Sequence, residues 1–201
     1  MQNIPKLYYT GRENKFRAMP RIRAGFEWVA RGKGIATEMV DGVACAIING
    51  RLYKRYVARP IRGVYEPDGA ICCQERPDSN GRLPCWIPVK DIPEDKWIIE
   101  AYLNTPWNRE DGTYEAVGAH FRGNPYGLDA DFLEAHGRIR VPDFPRDFDG
   151  MKEYFRTHEI EGIVFWNGGE PKCKVKRADF GFDWPVKRTR LEETTRRIMC
   201  L

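Results

Sequence analysis

Short apolar and β-branched runs, cut by turn residues, dominate the first two thirds of the chain and predict strands. Phe26-Glu27-Trp28-Val29 reads as a short strand. Val43 to Ile48, the pair Asn49-Gly50 and Arg51 to Val57 predict a β-hairpin, because Asn-Gly is the strongest short-range turn signal between two such runs. Trp97 to Leu103 and Thr113 to Phe121 predict two further strands, and Ile139-Arg140-Val141 a short one. Ile160 to Trp166, a Gly168-Gly169 turn and Lys172 to Arg177 predict a second hairpin. Helical spacing is strongest over Asp149 to His158, where Met151, Tyr154 and Phe155 form a stripe at i, i+3, i+4 and Asp149 is placed to cap. Leu191 to Met199 predicts a short helix in the tail. Residues 60–96 are rich in Pro and Gly with little periodicity, which suggests a functional or covering flap. The sum is an α+β domain of mainly antiparallel sheets with flanking helices, expected to fold as a single domain over residues 1–201.

Composition narrows the class. With 42% hydrophobic and 12% aromatic residues the chain has the material for a core, and disorder is not suggested. No apolar run reaches the roughly 20 residues that span a bilayer, and Met1-Gln2-Asn3-Ile4-Pro5-Lys6 lacks the apolar stretch of a signal peptide. A cytoplasmic location without a membrane partner is therefore expected. The six cysteines include no C-x-x-C pair and no nearby histidine pair, which argues against zinc and for reduced thiols.

The net charge of +4 says less than its distribution. Lys54, Arg55, Arg59 and Arg62 form one basic cluster, Lys172, Lys174, Lys176 and Arg177 a second, and Lys187, Arg188 and Arg190 a third. Such clusters suit phosphates, although each is also compatible with an ordinary solvated strand face.

One short segment changes the picture. Ala36-Thr37-Glu38-Met39-Val40-Asp41-Gly42 leads into the first hairpin, and with lysine in place of Met39 it would read Lys-x-Asp-Gly. Methionine nearly matches lysine in length, but it has no amine with which to attack a phosphate. Downstream come Arg55 and Arg59, Thr113-Tyr114-Glu115-Ala116-Val117-Gly118 and Gly123-Asn124-Pro125-Tyr126-Gly127-Leu128. His136-Gly137-Arg138, Glu161-Gly162-Ile163-Val164-Phe165-Trp166 and Cys173-Lys174-Val175-Lys176 follow. Lys174 and Lys176 alternate with apolar residues and so share one strand face, where two amines repel unless an anion lies between them.

These segments, in this order, resemble the motifs of the covalent nucleotidyltransferase superfamily of polynucleotide ligases and mRNA-capping enzymes. More closely they resemble the 5′-to-3′ RNA ligase family that includes a vertebrate member. The Leu83-Pro84-Cys85-Trp86-Ile87-Pro88-Val89 string and the Trp184-Pro185 pair add to the likeness, which spans about Thr37 to Pro185.

The resemblance implies an adenylation-type nucleotidyltransferase domain without a C-terminal OB-fold, working with ATP and Mg2+ (or Mn2+). Its partners would be RNA carrying 5′-phosphate and 3′-hydroxyl ends, with no obligate protein partner. By position, Met39 occupies the nucleophile's place, and a lysine is expected there in the active enzyme. The backbone of Thr37 and Glu38 would meet the adenine edge. Asp41 and Gly42 would shape the turn, Gly42 by adopting backbone angles costly for other residues. Arg55 and Arg59 are both candidates for the ribose or phosphate contact, with Arg55 favoured because it lies within the strand. Glu115 would hold ribose or metal, Glu161 the metal, and Lys174 and Lys176 the α-phosphate. His136 is either a ring near the adenine or a structural histidine. Trp86, Trp166 and Trp184 are assigned to packing. The implied activity is ATP-dependent RNA joining through lysyl-AMP and adenylylated RNA. Met39 makes this chain an inactive variant that still binds ATP. The other readings are a naturally non-catalytic nucleotide- or RNA-binding protein, and a GTP-using guanylyltransferase.

Overall fold

Asn49 and Gly50 both have positive φ (51° and 71°), the conformation that a two-residue turn of type I′ demands, and they join β4 (Val43–Ile48) to β5 (Arg51–Ala58). The Asp111 carboxylate accepts the N–H groups of both turn residues at 2.6 and 2.9 Å. A computed structural model describes residues 2–105 and 109–186. The fold is α+β, with antiparallel strand pairing and two α-helices among the described residues. Its described residues divide into two compact units, residues 39–140 with residues 2–5, and Lys6–Glu38 with residues 141–186.

The first unit is built on a six-stranded sheet. Besides β4 and β5 it contains β6 (Ile71–Cys72), β7 (Leu83–Pro88), β8 (Gly112–Val117) and β9 (Phe132–Ala135), in the order β6-β7-β5-β4-β8-β9. One face carries Cys45, Ile47, Tyr114, Ala116 and Leu133 and is covered by Ile98 and Ala101 of α1 (Lys96–Leu103). That segment was expected to be a strand. Its Trp-Ile-Ile composition favours β structure, but Pro93, Glu94 and Asp95 begin a 3-10 turn ahead of it, a proline-and-acid start that belongs to helices. The spacing of Ile98 and Ala101 then puts both on the core side.

Three other expectations shift. β8 stops at Val117 rather than Phe121, because Gly118 turns the chain at φ 136° where a side chain would meet the Ala130 carbonyl oxygen at 2.4 Å. Residues 139–141 make only a bridge, not a strand. The Pro/Gly-rich stretch yields β7, a strand hidden by Pro84 and Pro88. These are tolerated because β6, its outer neighbour, is only two residues long.

The second unit contains the sheet β11-β10-β3, formed by β3 (Ile35–Met39), β10 (Gly162–Asn167) and β11 (Glu170–Lys176), and a small pair, β1 (Tyr8–Thr10) with β2 (Ala18–Ile22). Gly168 and Gly169, at φ 64° and 78°, close the expected β10–β11 hairpin. α2 (Phe148–Thr157) is the expected helix, capped however by Asp147, whose carboxylate accepts the Gly150 N–H. Met151 and Phe155 of α2 join Leu7, Val29, Ile163, Phe165, Cys173 and Val175 in the core. Phe26–Val29, expected as a strand, is a run of turns in which the Val29 N–H bonds the Phe26 carbonyl at 3.0 Å. The expected tail helix and the third basic cluster lie outside the described residues.

Candidate functional site

Strand register lines up the candidate residues of the first unit. Ala44 of β4 pairs with Glu115 of β8, which pairs with Glu134 of β9, and Arg55 of β5 pairs with Trp86 of β7. Cys45 pairs with Lys54, so Arg55 follows beside Ala44. Directly opposed residues share a face, and this is the face away from α1. Arg55 and Glu115 thus flank a methyl side chain, a cation on one side and a carboxylate on the other.

The two walls are braced. The Arg55 guanidinium carbon lies 5.0 Å from the centre of the Trp86 ring, and Nη1 donates to the Cys73 thiol at 3.5 Å. Trp86 therefore supports Arg55 as well as filling space. Glu115 Oε1 lies 3.2 Å from His136 Nε2, and His136 Nδ1 lies 2.9 Å from the Thr113 hydroxyl. His136 thus orients Glu115 by a contact to its carboxylate. Glu115 Oε2 is buried and has no hydrogen-bond partner among the described residues. A buried acceptor in that state calls for a donor or cation from a ligand.

Arg59 lies past the end of β5, where its backbone N–H and carbonyl pair with Val64 at the start of a 3-10 turn. Lys54 falls on the opposite face from Arg55 and is ion-paired with the buried Asp95. The first basic cluster is therefore not a single patch: alternation along β5 separates its members.

The turn that leads into β4 is held from outside by Arg122 and the Gly-Asn-Pro-Tyr-Gly-Leu segment that follows it. The Asp41 N–H donates to the Tyr126 hydroxyl at 2.6 Å, and Arg122 Nε donates to the Gly42 carbonyl at 3.0 Å. Asn124 closes that segment on itself, with its side chain accepting from the Leu128 N–H and donating to the Leu128 carbonyl. Gly42 is required for a reason other than the expected one. It is not among the positive-φ residues; instead a Cβ there would lie 2.3 Å from the Ala116 carbonyl oxygen. Sequence reasoning missed Tyr126 and Arg122 as anchors of this turn, although the string that contains Tyr126, and that Arg122 directly precedes, was visible as a family-like motif.

The second unit holds the remaining candidates. Thr37 is buried in β3, donates its hydroxyl to the Val164 carbonyl at 3.4 Å and accepts the Trp166 indole N–H at 2.8 Å. Its side chain is used by the fold. Glu38 is near enough to Tyr154 that its charge, after burial, helps push that phenol above its usual pKa. Lys174 and Lys176 share one face of β11, opposite Val164 and Gly162. Burial, and then the neighbouring Lys176 charge, pull the Lys174 ammonium below its ordinary pKa. Lys176 is ion-paired with Glu161, so the structure brings these two candidates together as partners. Arg177, counted in the second basic cluster, is buried and donates to the carbonyls of Phe155, His158 and Asp183. It is a structural cation, not a surface one. Among the described residues no three His, Cys, Asp or Glu side chains form a ready-made metal cage. Magnesium commonly needs only one or two carboxylates plus substrate phosphates, which Glu115 or Glu161 fits.

Comparison with known proteins finds similar chains. The family model described as RNA ligase 1 matches residues 103–200. The proteins named RNA ligase 1 from Rattus norvegicus and Mus musculus are each 29% identical over 146 residues, covering 56% of this chain and 45% of theirs. The Danio rerio protein of the same name is 26% identical with the same coverage. The chain thus spans about half the length of the curated relatives that it matches. The resemblance read from the ordered motifs is to this family.

Proposed function

Starting from a chain related to the RNA ligase 1 proteins, we propose that it is the adenylation-type part of an ATP-dependent RNA ligase whose first chemical step is blocked by Met39. What supports this most is one sheet face. Arg55 and Glu115 flank Ala44, just beyond the Met39-Val40-Asp41-Gly42 turn, and Glu115 presents a buried carboxylate oxygen that has no donor among the described residues. A ribose hydroxyl would satisfy that oxygen, and the Arg55 guanidinium suits a phosphate or ribose oxygen. We assign Lys174 and Lys176, which share one face of β11, to a nucleotide α-phosphate.

With lysine at position 39, its amine nitrogen would attack the α-phosphorus as the bond to the β-phosphate breaks, releasing pyrophosphate and leaving lysyl-AMP. Burial, and then the Lys176 charge, lowers the Lys174 pKa, and a phosphate beside it would favour the charged amine. AMP would next pass to an RNA 5′-phosphate, and an RNA 3′-hydroxyl would then displace AMP to close the phosphodiester. A bound magnesium ion would neutralise phosphate charge, with Glu161 or Glu115 holding it. In this chain the thioether of Met39 ends the sequence at nucleotide binding.

The test is substitution on the active background. Met39→Lys with ATP is expected to give a covalent AMP adduct by intact-mass spectrometry. Adding Glu115→Gln should slow adduct formation by roughly tenfold to a hundredfold, the scale of about 1.5–3 kcal/mol for a hydrogen bond to a charged group. An unchanged rate would remove Glu115 from the site.

A further inference from the structure

We propose that Cys72 and Cys85 are a reversible disulfide site, a built-in covalent clasp between β6 and β7. The two residues are direct cross-strand partners, and their sulfur atoms are in contact at 2.7 Å. The register places them well. Cys73 donates its N–H to the Pro84 carbonyl at 2.9 Å, so 73 and 84 form the hydrogen-bonded position of the ladder. The next pair, 72 and 85, is then of the non-hydrogen-bonded kind. There antiparallel Cα atoms approach to about 4.5 Å, inside the range of about 4.4–6.8 Å that a disulfide spans. A bond at this position needs little backbone movement.

Neighbouring cysteines are excluded by direction. Cys73 follows Cys72 on the strand, so it points to the other face, where its sulfur meets Arg55. Cys45 and Cys173 are buried in the cores of the two units. Exposure divides the labour within the pair: Cys72 is exposed, while Cys85 is fully buried, with a thiol pushed up to about 12 chiefly by burial. A peroxide therefore meets Cys72 first. The Cys72 thiolate attacks one peroxide oxygen, the O–O bond breaks, and hydroxide leaves to be protonated to water, which gives a sulfenic acid. The Cys85 sulfur then attacks the Cys72 sulfur, loses its proton, and expels the hydroxyl as a second water. Two thiols and one peroxide become one disulfide and two waters, and a dithiol reductant reverses the bond.

The experiment uses the full chain treated with a slight excess of hydrogen peroxide, then iodoacetamide, then proteolysis without reductant. Mass spectrometry should find the Cys72 peptide joined to the Cys85 peptide, and dithiothreitol should separate them. Cys73→Ser should leave the link in place. Cys72→Ser, at an exposed position, should abolish it. The proposal is overturned if no joined peptide forms, if the link runs through Cys73, or if it joins two copies of the chain.

Discussion

Met39 has the length to fill a lysine's place and lacks the one atom that could form a bond to phosphorus. The residues around it are held as if that place mattered. Tyr126 accepts the Asp41 N–H, Arg122 clasps the Gly42 carbonyl, and Gly42 itself lies where a methyl group would strike the backbone of β8. Gly42→Ala should therefore destabilise the chain by about 1–3 kcal/mol, the usual result of forcing extra atoms into a packed position. Chemical denaturation would show this as a lower midpoint at an unchanged slope. Tyr126→Phe deletes one hydroxyl and should cost about 1 kcal/mol. It should also weaken ATP binding, measured by calorimetry, since the turn would be held less firmly. At this scale the sequence displayed identities but not reasons. Gly42 could be seen to matter, yet its close approach to Ala116 arises from a strand far along the chain. The Tyr126 hydroxyl and the Asp41 amide are likewise joined only by folding.

At the scale of elements, both hairpins were legible because their turns are local. Asn49-Gly50 and Gly168-Gly169 select their own conformation. α1 was not legible as a helix, because its apolar and β-branched composition outweighed the Pro-Glu-Asp start, and only packing on the sheet decides between the two. β7 was hidden by its prolines. The division of the basic clusters needed the register: Lys54 pairs with Asp95 on one face while Arg55 leans on Trp86 on the other. The β11 face carries a pH prediction. Burial and the nearby Lys176 hold the Lys174 pKa below the ordinary 10.5, so the charged amine is a burden on the folded state. As pH rises from that lowered value towards 10.5, the folded chain releases this proton before the unfolded chain does. Stability contributed by this site therefore increases with pH in that window. Lys174→Met should abolish that increase in a series of urea melts. If Lys174 holds the α-phosphate as proposed, ATP binding should move oppositely, weakening over the same window as the amine loses its charge.

At the scale of the whole molecule, the likeness to RNA ligase 1 proteins and the sheet-face site address one question: does this chain hold ATP and stop there? No helix among the described residues is long and apolar enough to cross a membrane, and the likeness was legible because motifs resembling that family's stand in order although each is weak alone. The most direct measurement is intact-mass spectrometry of this chain and of Met39→Lys, each incubated with ATP and magnesium, with calorimetric titration of ATP alongside. ATP should bind both, and only Met39→Lys should gain the mass of one AMP. An AMP adduct on the chain with Met39, or ATP binding by neither protein, would contradict the account.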